Sequence, residues 1–197
     1  LILGHGEMGQ AMEFLLKDRQ QVAIWVRQTS DSSKAVKLEE AATKADVVLF
    51  CLPVNPHREI ARRIAASISP HGLSLSIAKG LDESGQSAAQ IFSNVFAINR
   101  AYALLYGPMI SEDIRAGRNA FAQLGYQGMD TYAKVHGLFQ GSALYLKPTQ
   151  DIAGISWSVI LKNVYALVFG MADQLKYGDN MRGFLTVFAL QELEQIV

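Results

Sequence analysis

The sequence predicts an α/β fold, a parallel sheet covered by helices on both faces, followed by the start of an all-α unit. Three observations lead there. Short apolar runs alternate with helix-like stretches through the first 148 residues, the rhythm of successive βαβ units. A glycine-rich turn, Gly4-His5-Gly6-Glu7-Met8-Gly9, joins the first run to the first helical stretch. After Lys147-Pro148-Thr149-Gln150-Asp151 the pattern turns wholly helical. The predicted division is therefore 1–148 and 149–197.

The first strand is Leu1–Leu3, and the glycine turn carries it into a helix over Met8–Lys17. Val22–Val26, rich in Val, Ile and Trp, is the second strand, and Lys34–Lys44 the helix after it. Val47–Leu52 is an uninterrupted apolar run of the kind a strand buried on both faces shows, and it stops at Pro53. A helix over Pro56–Ala66 and a strand over Leu73–Ala78 follow, the strand stopping at Lys79-Gly80. Next come a helix over Gln86–Phe92 and a strand over Ala101–Tyr106 that ends at Gly107-Pro108. Weaker strands at Asn119–Leu124 and Ala143–Leu146 flank a helix over Met129–Phe139.

Composition narrows the function. Half of the 197 residues are hydrophobic and 18% are charged, enough for a substantial core. Lys plus Arg and Asp plus Glu are 18 each, with no run of one sign, which argues against nucleic acid or an anionic membrane as the main partner. The single cysteine, Cys51, cannot form an internal disulfide, so a cytoplasmic, reducing compartment is expected. His57, His71 and His136 have no spacing that makes a metal site, and none is expected. The chain opens inside a strand without methionine and stops within a helical pattern, so a fragment is expected.

Gly4, Gly6 and Gly9 form G-x-G-x-x-G between a strand and a helix, which makes the Rossmann-type, doubly wound reading specific. The first glycine makes the tight turn and the second lets a pyrophosphate approach. The third lets helix pack on strand, and the helix N-terminus faces the anion. Glu7 beside a pyrophosphate must point away from it. The second strand ends at Arg27, where an acidic residue would hold the ribose of NAD; an arginine there leans toward NADP. Pro53, Lys79 and Gly107 end their strands on the edge that carries the glycine turn, so they line one ligand crevice.

Ile155–Ala172 is apolar nearly all round, interrupted chiefly by Lys162-Asn163. Such a helix is predicted to be buried. A buried ammonium is costly and shifts its pKa readily, which suits proton transfer. A membrane span is rejected, because Lys162 at its centre would cost about 2.5–3.5 kcal/mol.

Together these residues resemble the NAD(P)-dependent glycerol-3-phosphate dehydrogenase family. The resemblance rests on the glycine turn, Ile24-Trp25-Val26-Arg27, Ala45–Pro53 with Arg58, Lys79-Gly80 and Gly107–Asp113. Its most specific parts are Leu161–Ala166 (L-K-N-V-x-A) and Asp173–Arg182 (D-x-L-x-x-G-D-N-x-R). Met8, Glu7, Ser111 and Asp113 depart from the family pattern. The resemblance implies reversible hydride transfer between NAD or NADP and dihydroxyacetone phosphate or sn-glycerol 3-phosphate, supplying the phospholipid glycerol backbone. It implies Lys162 as the proton acceptor, Asn163 as its support, and Lys79 in contact with substrate and nicotinamide. Gly107 and Met109 would touch substrate; Ser111, Met8 and Arg27 would touch cofactor. The helical region would begin a substrate and dimerisation unit of a homodimer. The rival readings are a β-hydroxyacid or 6-phosphogluconate-type dehydrogenase, and a dinucleotide-binding protein without turnover.

Overall fold

The computed structural model describes residues 1–27, 37–96 and 100–197. In chain order the elements are β1 (Ile2–Leu3), α1 (Glu7–Leu16), β2 (Ile24–Trp25), α2 (Leu38–Lys44), β3 (Val47–Phe50) and α3 (His57–Ile64). There follow β4 (Leu73–Ser76), α4 (Ala88–Phe96), β5 (Ala101–Tyr106), α5 (Ser111–Arg115), β6 (Ala120–Tyr126) and α6 (Met129–Phe139). The chain continues through β7 (Leu144–Thr149), α7 (Ile152–Gln174) and α8 (Gly178–Ile196). The order is the predicted one, with α5 added. Residues 34–36 of the helix expected from Lys34 lie outside the described residues.

One seven-stranded sheet runs β2-β1-β3-β4-β5-β6-β7. The all-parallel expectation needs correction at one pair, because β5 and β6 run antiparallel while the other neighbours are parallel. Between β5 and β6 the chain forms the five-residue α5, which lies over α1, and no helix carries it back across the sheet, so β6 starts from the edge where β5 ended and runs antiparallel to it.

Side chains alternate across the strands and feed two cores. Leu3, Val48, Phe50, Tyr102 and Leu104 point to one face, where α2, α3, α4 and the first turns of α7 cover them. Ile2, Val47, Leu49, Leu75 and Leu105 point to the other, against α1, α5 and α6. The period of two in the strands and the helical spacing in the covers build a layered α/β unit.

The buried-helix expectation for α7 is corrected. Ile152, Ile155 and Val159 pack on the sheet unit, but Lys162 and Asn163 are exposed, as are Val164, Leu167 and Met171. Beyond Ile160 the helix leaves the sheet and runs beside α8, which buries none of its residues. An all-round apolar surface says that a helix wants cover on every side, not that the described residues supply it. By length and composition α7 is apolar enough to cross a membrane, with a mean hydropathy of 1.6.

Candidate active site

Strands β1, β3, β4 and β5 deliver their carboxyl ends to one edge, and the strand order changes direction between β1 and β3. Ligands in such sheets bind at that switch point. The glycine turn sits there. Gly4 has φ +91°, and a Cβ on it would lie 2.7 Å from the Cys51 carbonyl oxygen. A Cβ on Gly9 would lie 2.1 Å from the Gly4 carbonyl oxygen, so helix and turn touch backbone to backbone. A Cβ on Gly6 would meet nothing within 4 Å, and no side chain caps α1 there. The first-turn N–H groups of α1 therefore face open space, as an approaching pyrophosphate requires. The residues present fit a dinucleotide.

Glu7 and His5 of this turn are both engaged. Glu7 turns onto α5, where its carboxylate accepts from Arg115 and, at 3.4 Å, from Ser111 Oγ. His5 Nε2 lies 2.7 Å from Glu13 Oε2. Glu7 and Ser111, both expected at the cofactor, are thus bonded to each other. Met8 is half-buried against the core under α1. Arg27 is exposed and donates to Glu59 of α3 at 3.0 Å. The exposed Pro53 offers its carbonyl to His57 Nδ1 at 2.9 Å.

Further along the edge a cavity of about 760 Å³ opens between the ends of β4–β7 and α7. Lys79, Gly107, Met109 and Lys162 all line it, so the four residues expected at substrate meet in one place. Asn163 is not in that lining. Gly107 is there because a Cβ would strike the Phe121 carbonyl oxygen at 2.2 Å, so β5 and β6 can close only around a bare backbone. Met109 is buried beneath, its N–H donating to the Gly107 carbonyl at 2.9 Å. A cavity of about 870 Å³ on the opposite edge, beside Leu1 and Asp46, faces the amino ends of the strands, away from these groups.

The electrostatics are set by the two lysines. Partial desolvation lowers the Lys79 pKa first, and the charge of Lys162 lowers it further. Lys162 itself is exposed on α7 and not buried as the sequence predicts. Behind the site, burial pushes the Tyr106 hydroxyl well above the ordinary phenol range. Cys51 keeps partial exposure as a residue, yet desolvation pushes its thiol up to about 12.

Several residues escaped sequence reasoning. Phe121 and Tyr145 stack with ring centroids 5.4 Å apart and form one wall of the cavity, half exposed. The alternation buried, exposed, buried, exposed at the start of β6 is a signal that would have pointed Phe121 outward. Lys147 adds a third ammonium to the lining, from a stretch read as a boundary. Arg115 had no sequence signal at all.

The model described as NAD-dependent glycerol-3-phosphate dehydrogenase N-terminus matches residues 31–131, and the corresponding C-terminus model matches 151–197. A glycerol-3-phosphate dehydrogenase [NAD(P)+] of Pelotomaculum thermopropionicum is 26% identical over 170 residues, 85% of this chain and 49% of its own. One from Mycobacterium avium is 30% identical over 158 residues, 80% of this chain and 46% of its own. The chain thus spans about half the length of these curated relatives. The crystal structure of glycerol-3-phosphate dehydrogenase from Coxiella burnetii superposes with a TM-score of 0.87 at 20% identity, covering 100% of this chain and 67% of that one. At that identity the likeness concerns the fold alone.

Proposed function

Since the chain belongs to the NAD-dependent glycerol-3-phosphate dehydrogenase family, we propose that it forms the dinucleotide-binding unit and first helices of an enzyme interconverting dihydroxyacetone phosphate and sn-glycerol 3-phosphate. The observation that carries this reading is one cavity lined by Lys79, Gly107, Met109 and Lys162, on the sheet edge that holds the glycine turn. The nicotinamide, when bound, supplies or accepts the hydride at C2. Gly4, Gly6 and Gly9 would hold the pyrophosphate on the α1 N-terminus, with Pro53 and Met8 beside it. Lys162 takes the proton of the C2 hydroxyl in oxidation and returns one to the same oxygen in reduction. Lys79, its ammonium made more acidic by desolvation and by the charge of Lys162, donates to that oxygen. Asn163, next in sequence to Lys162, supports it.

Arg27 carries the lean to NADP. Its exposed pair with Glu59 is of a kind worth about 0.2–1 kcal/mol, which a 2′-phosphate would outcompete. The two units divide near residue 148, at the end of β7, and α7 is a domain helix whose first turns dock on the sheet. The exposed apolar side chains of α7 and α8, Leu167, Met171, Phe184 and Phe188 among them, suit a homodimer. A single enclosed thiol suits the cytoplasm.

The test is dihydroxyacetone-phosphate-dependent oxidation of NADPH and of NADH, with Lys162→Ala measured alongside. Loss of about 10²–10⁴ in rate in a folded variant is expected if Lys162 moves the proton. A smaller loss assigns the proton to another group. Dinucleotide binding without turnover on this substrate moves the weight to a β-hydroxyacid substrate or to a binding role.

A further inference from the structure

We propose that His57 and Ser76 are a positioning pair: they tie the Pro53 turn to the segment that delivers Lys79, and so hold the cofactor side and the substrate side of the crevice in register. The proposal rests on the dehydrogenase reading above.

His57 is fully buried, with its ring against Phe50 (centroids 4.9 Å) and Phe92 (5.7 Å). Two ring nitrogens among phenyl rings are costly unless both are bonded, and both are. Nδ1 lies 2.9 Å from the Pro53 carbonyl oxygen, and Nε2 lies 2.9 Å from Ser76 Oγ. A carbonyl can only accept, so Nδ1 carries the hydrogen. In the neutral ring Nε2 then accepts, and the Ser76 hydroxyl must donate to it. Ser76 Oγ in turn accepts from the Ala78 N–H at 3.1 Å. The result is one chain of bonds with a single polarity, from the residue before Lys79 to the turn after β3.

Its location is what makes it more than core packing. The pairing of β3 with β4 ends at Phe50 and Ser76, and the next link, Ile77 N–H to the Phe50 carbonyl, is already long at 3.4 Å. Beyond that point the two strands have no ladder, yet Pro53 and Lys79 both lie beyond it. His57 bridges the gap. Further from the crevice, Asn55 Oδ1 accepts from the Glu83 N–H, and Arg58 donates to Asp82 and Gln86. These outer ties join the same two segments, so the fold should survive loss of the inner one. A phenylalanine would fill the space among Phe50 and Phe92 but could not carry the link.

Binding of NADH and NADPH, followed by fluorescence titration, is compared in the unaltered chain, His57→Phe, His57→Asn and Ser76→Ala, with thermal melting of each. The unaltered chain is expected to bind, and folded His57→Phe to bind about 10-fold to 100-fold more weakly, as a misplaced crevice wall would cause. His57→Asn, whose amide nitrogen can take the place of Nδ1 but cannot reach Ser76, should recover only part of that loss. Ser76→Ala cuts the same link at its other end and should weaken binding to a similar degree. Affinity unchanged in folded His57→Phe would overturn the proposal. Should His57→Phe not fold, unchanged affinity in Ser76→Ala does the same, and unfolding of both makes the pair a stability element instead. No binding by the unaltered chain is a different failure: it removes the dinucleotide reading, and the proposal with it.

Discussion

Acidification should weaken this protein through His57 before it reaches the ordinary carboxylate range. Desolvation lowers the His57 pKa from 6.5 to about 4, partly opposed by the bond to the Pro53 carbonyl. The unfolded chain therefore takes up a proton near pH 6.5, while the native state refuses it until about pH 4. Between those values the unfolded state holds more protons, so stability rises with pH and falls on acidification. A difference of about 2.5 units sets a ceiling of about 3 kcal/mol, reached near pH 4, with about 2 kcal/mol already lost at about pH 5. For a chain of this size the loss at pH 5 corresponds to a drop of about 4–8 °C in melting temperature. Urea unfolding of the unaltered chain and of His57→Phe, at about pH 7.5 and about pH 5, isolates the effect. The carboxyls of Glu39, Asp82 and Asp173, all held below their usual range, act equally in both proteins and cancel in the difference. Phenylalanine loses the two ring hydrogen bonds, which offsets its curve at every pH but adds no slope. The unaltered chain should lose about 2 kcal/mol more than the variant across that interval. Parallel curves would refute the reasoning, because they would mean that the native ring accepts a proton as easily as the unfolded one.

Three other outcomes follow from the same geometry. Gly9→Ala puts a methyl 2.1 Å from the Gly4 carbonyl oxygen, a backbone atom that cannot rotate away, so a loss of about 1–3 kcal/mol in chemical unfolding and of NADH affinity is expected. A variant that melts and binds like the unaltered chain would show that α1 slides off the turn without cost. The Cys51 thiol, pushed up to about 12, should react with iodoacetamide at pH 8 about 10³ times more slowly in the native chain than in urea; comparable rates would show an open thiol. Asp82→Ala removes an almost fully buried carboxylate that accepts from Arg58 and from the N–H groups of Ser84 and Gln86. It should cost about 3 kcal/mol in urea unfolding, and a cost under about 1 kcal/mol would mean that Arg58 finds water instead.

The fold was legible where local pattern decides it. Strand β5 and helix α6 begin and end at the residues the sequence indicated, Ala101–Tyr106 and Met129–Phe139; Gly107-Pro108 stops the first, and Gly128 and Gly141 flank the second. The reversal at β6 was not legible, since nothing in Asn119–Leu124 names its neighbour; the direction follows from the path of the connection, which packs on α1 and does not return across the sheet. The alternation of buried and exposed residues at the start of β6 is the mark of a strand with one face near solvent. Helix α7 misled for a related reason. Hydropathy reports what a surface would gain from cover, and Lys162 was placed in the interior on that ground although the described residues leave it at the surface.

The site divides along the same line. The roles of Gly4, Gly6 and Gly9 can be read from sequence because each is a statement about backbone within a few residues, and the 2.1 Å approach of Gly9 to Gly4 is the physical form of that motif. The meeting of Lys79 with Lys162 joins positions more than eighty apart, and only a resemblance could anticipate it. His57 and Ser76 had neither kind of signal. Ser76 stands in the run Leu73-Ser74-Leu75-Ser76, where strand alternation turns both serines to the face that α3 and α4 cover. A hydroxyl on that covered face must find a partner, and the nearest helix offers a histidine. Read this way, the apolar runs locate the core, while the polar residues inside them ask what they are bonded to. For Lys162 the answer is a cavity and another cation; for Ser76 it is a ring whose other nitrogen reaches the cofactor-side turn. A polar residue within an apolar run is therefore informative about function only together with what occupies the space around it.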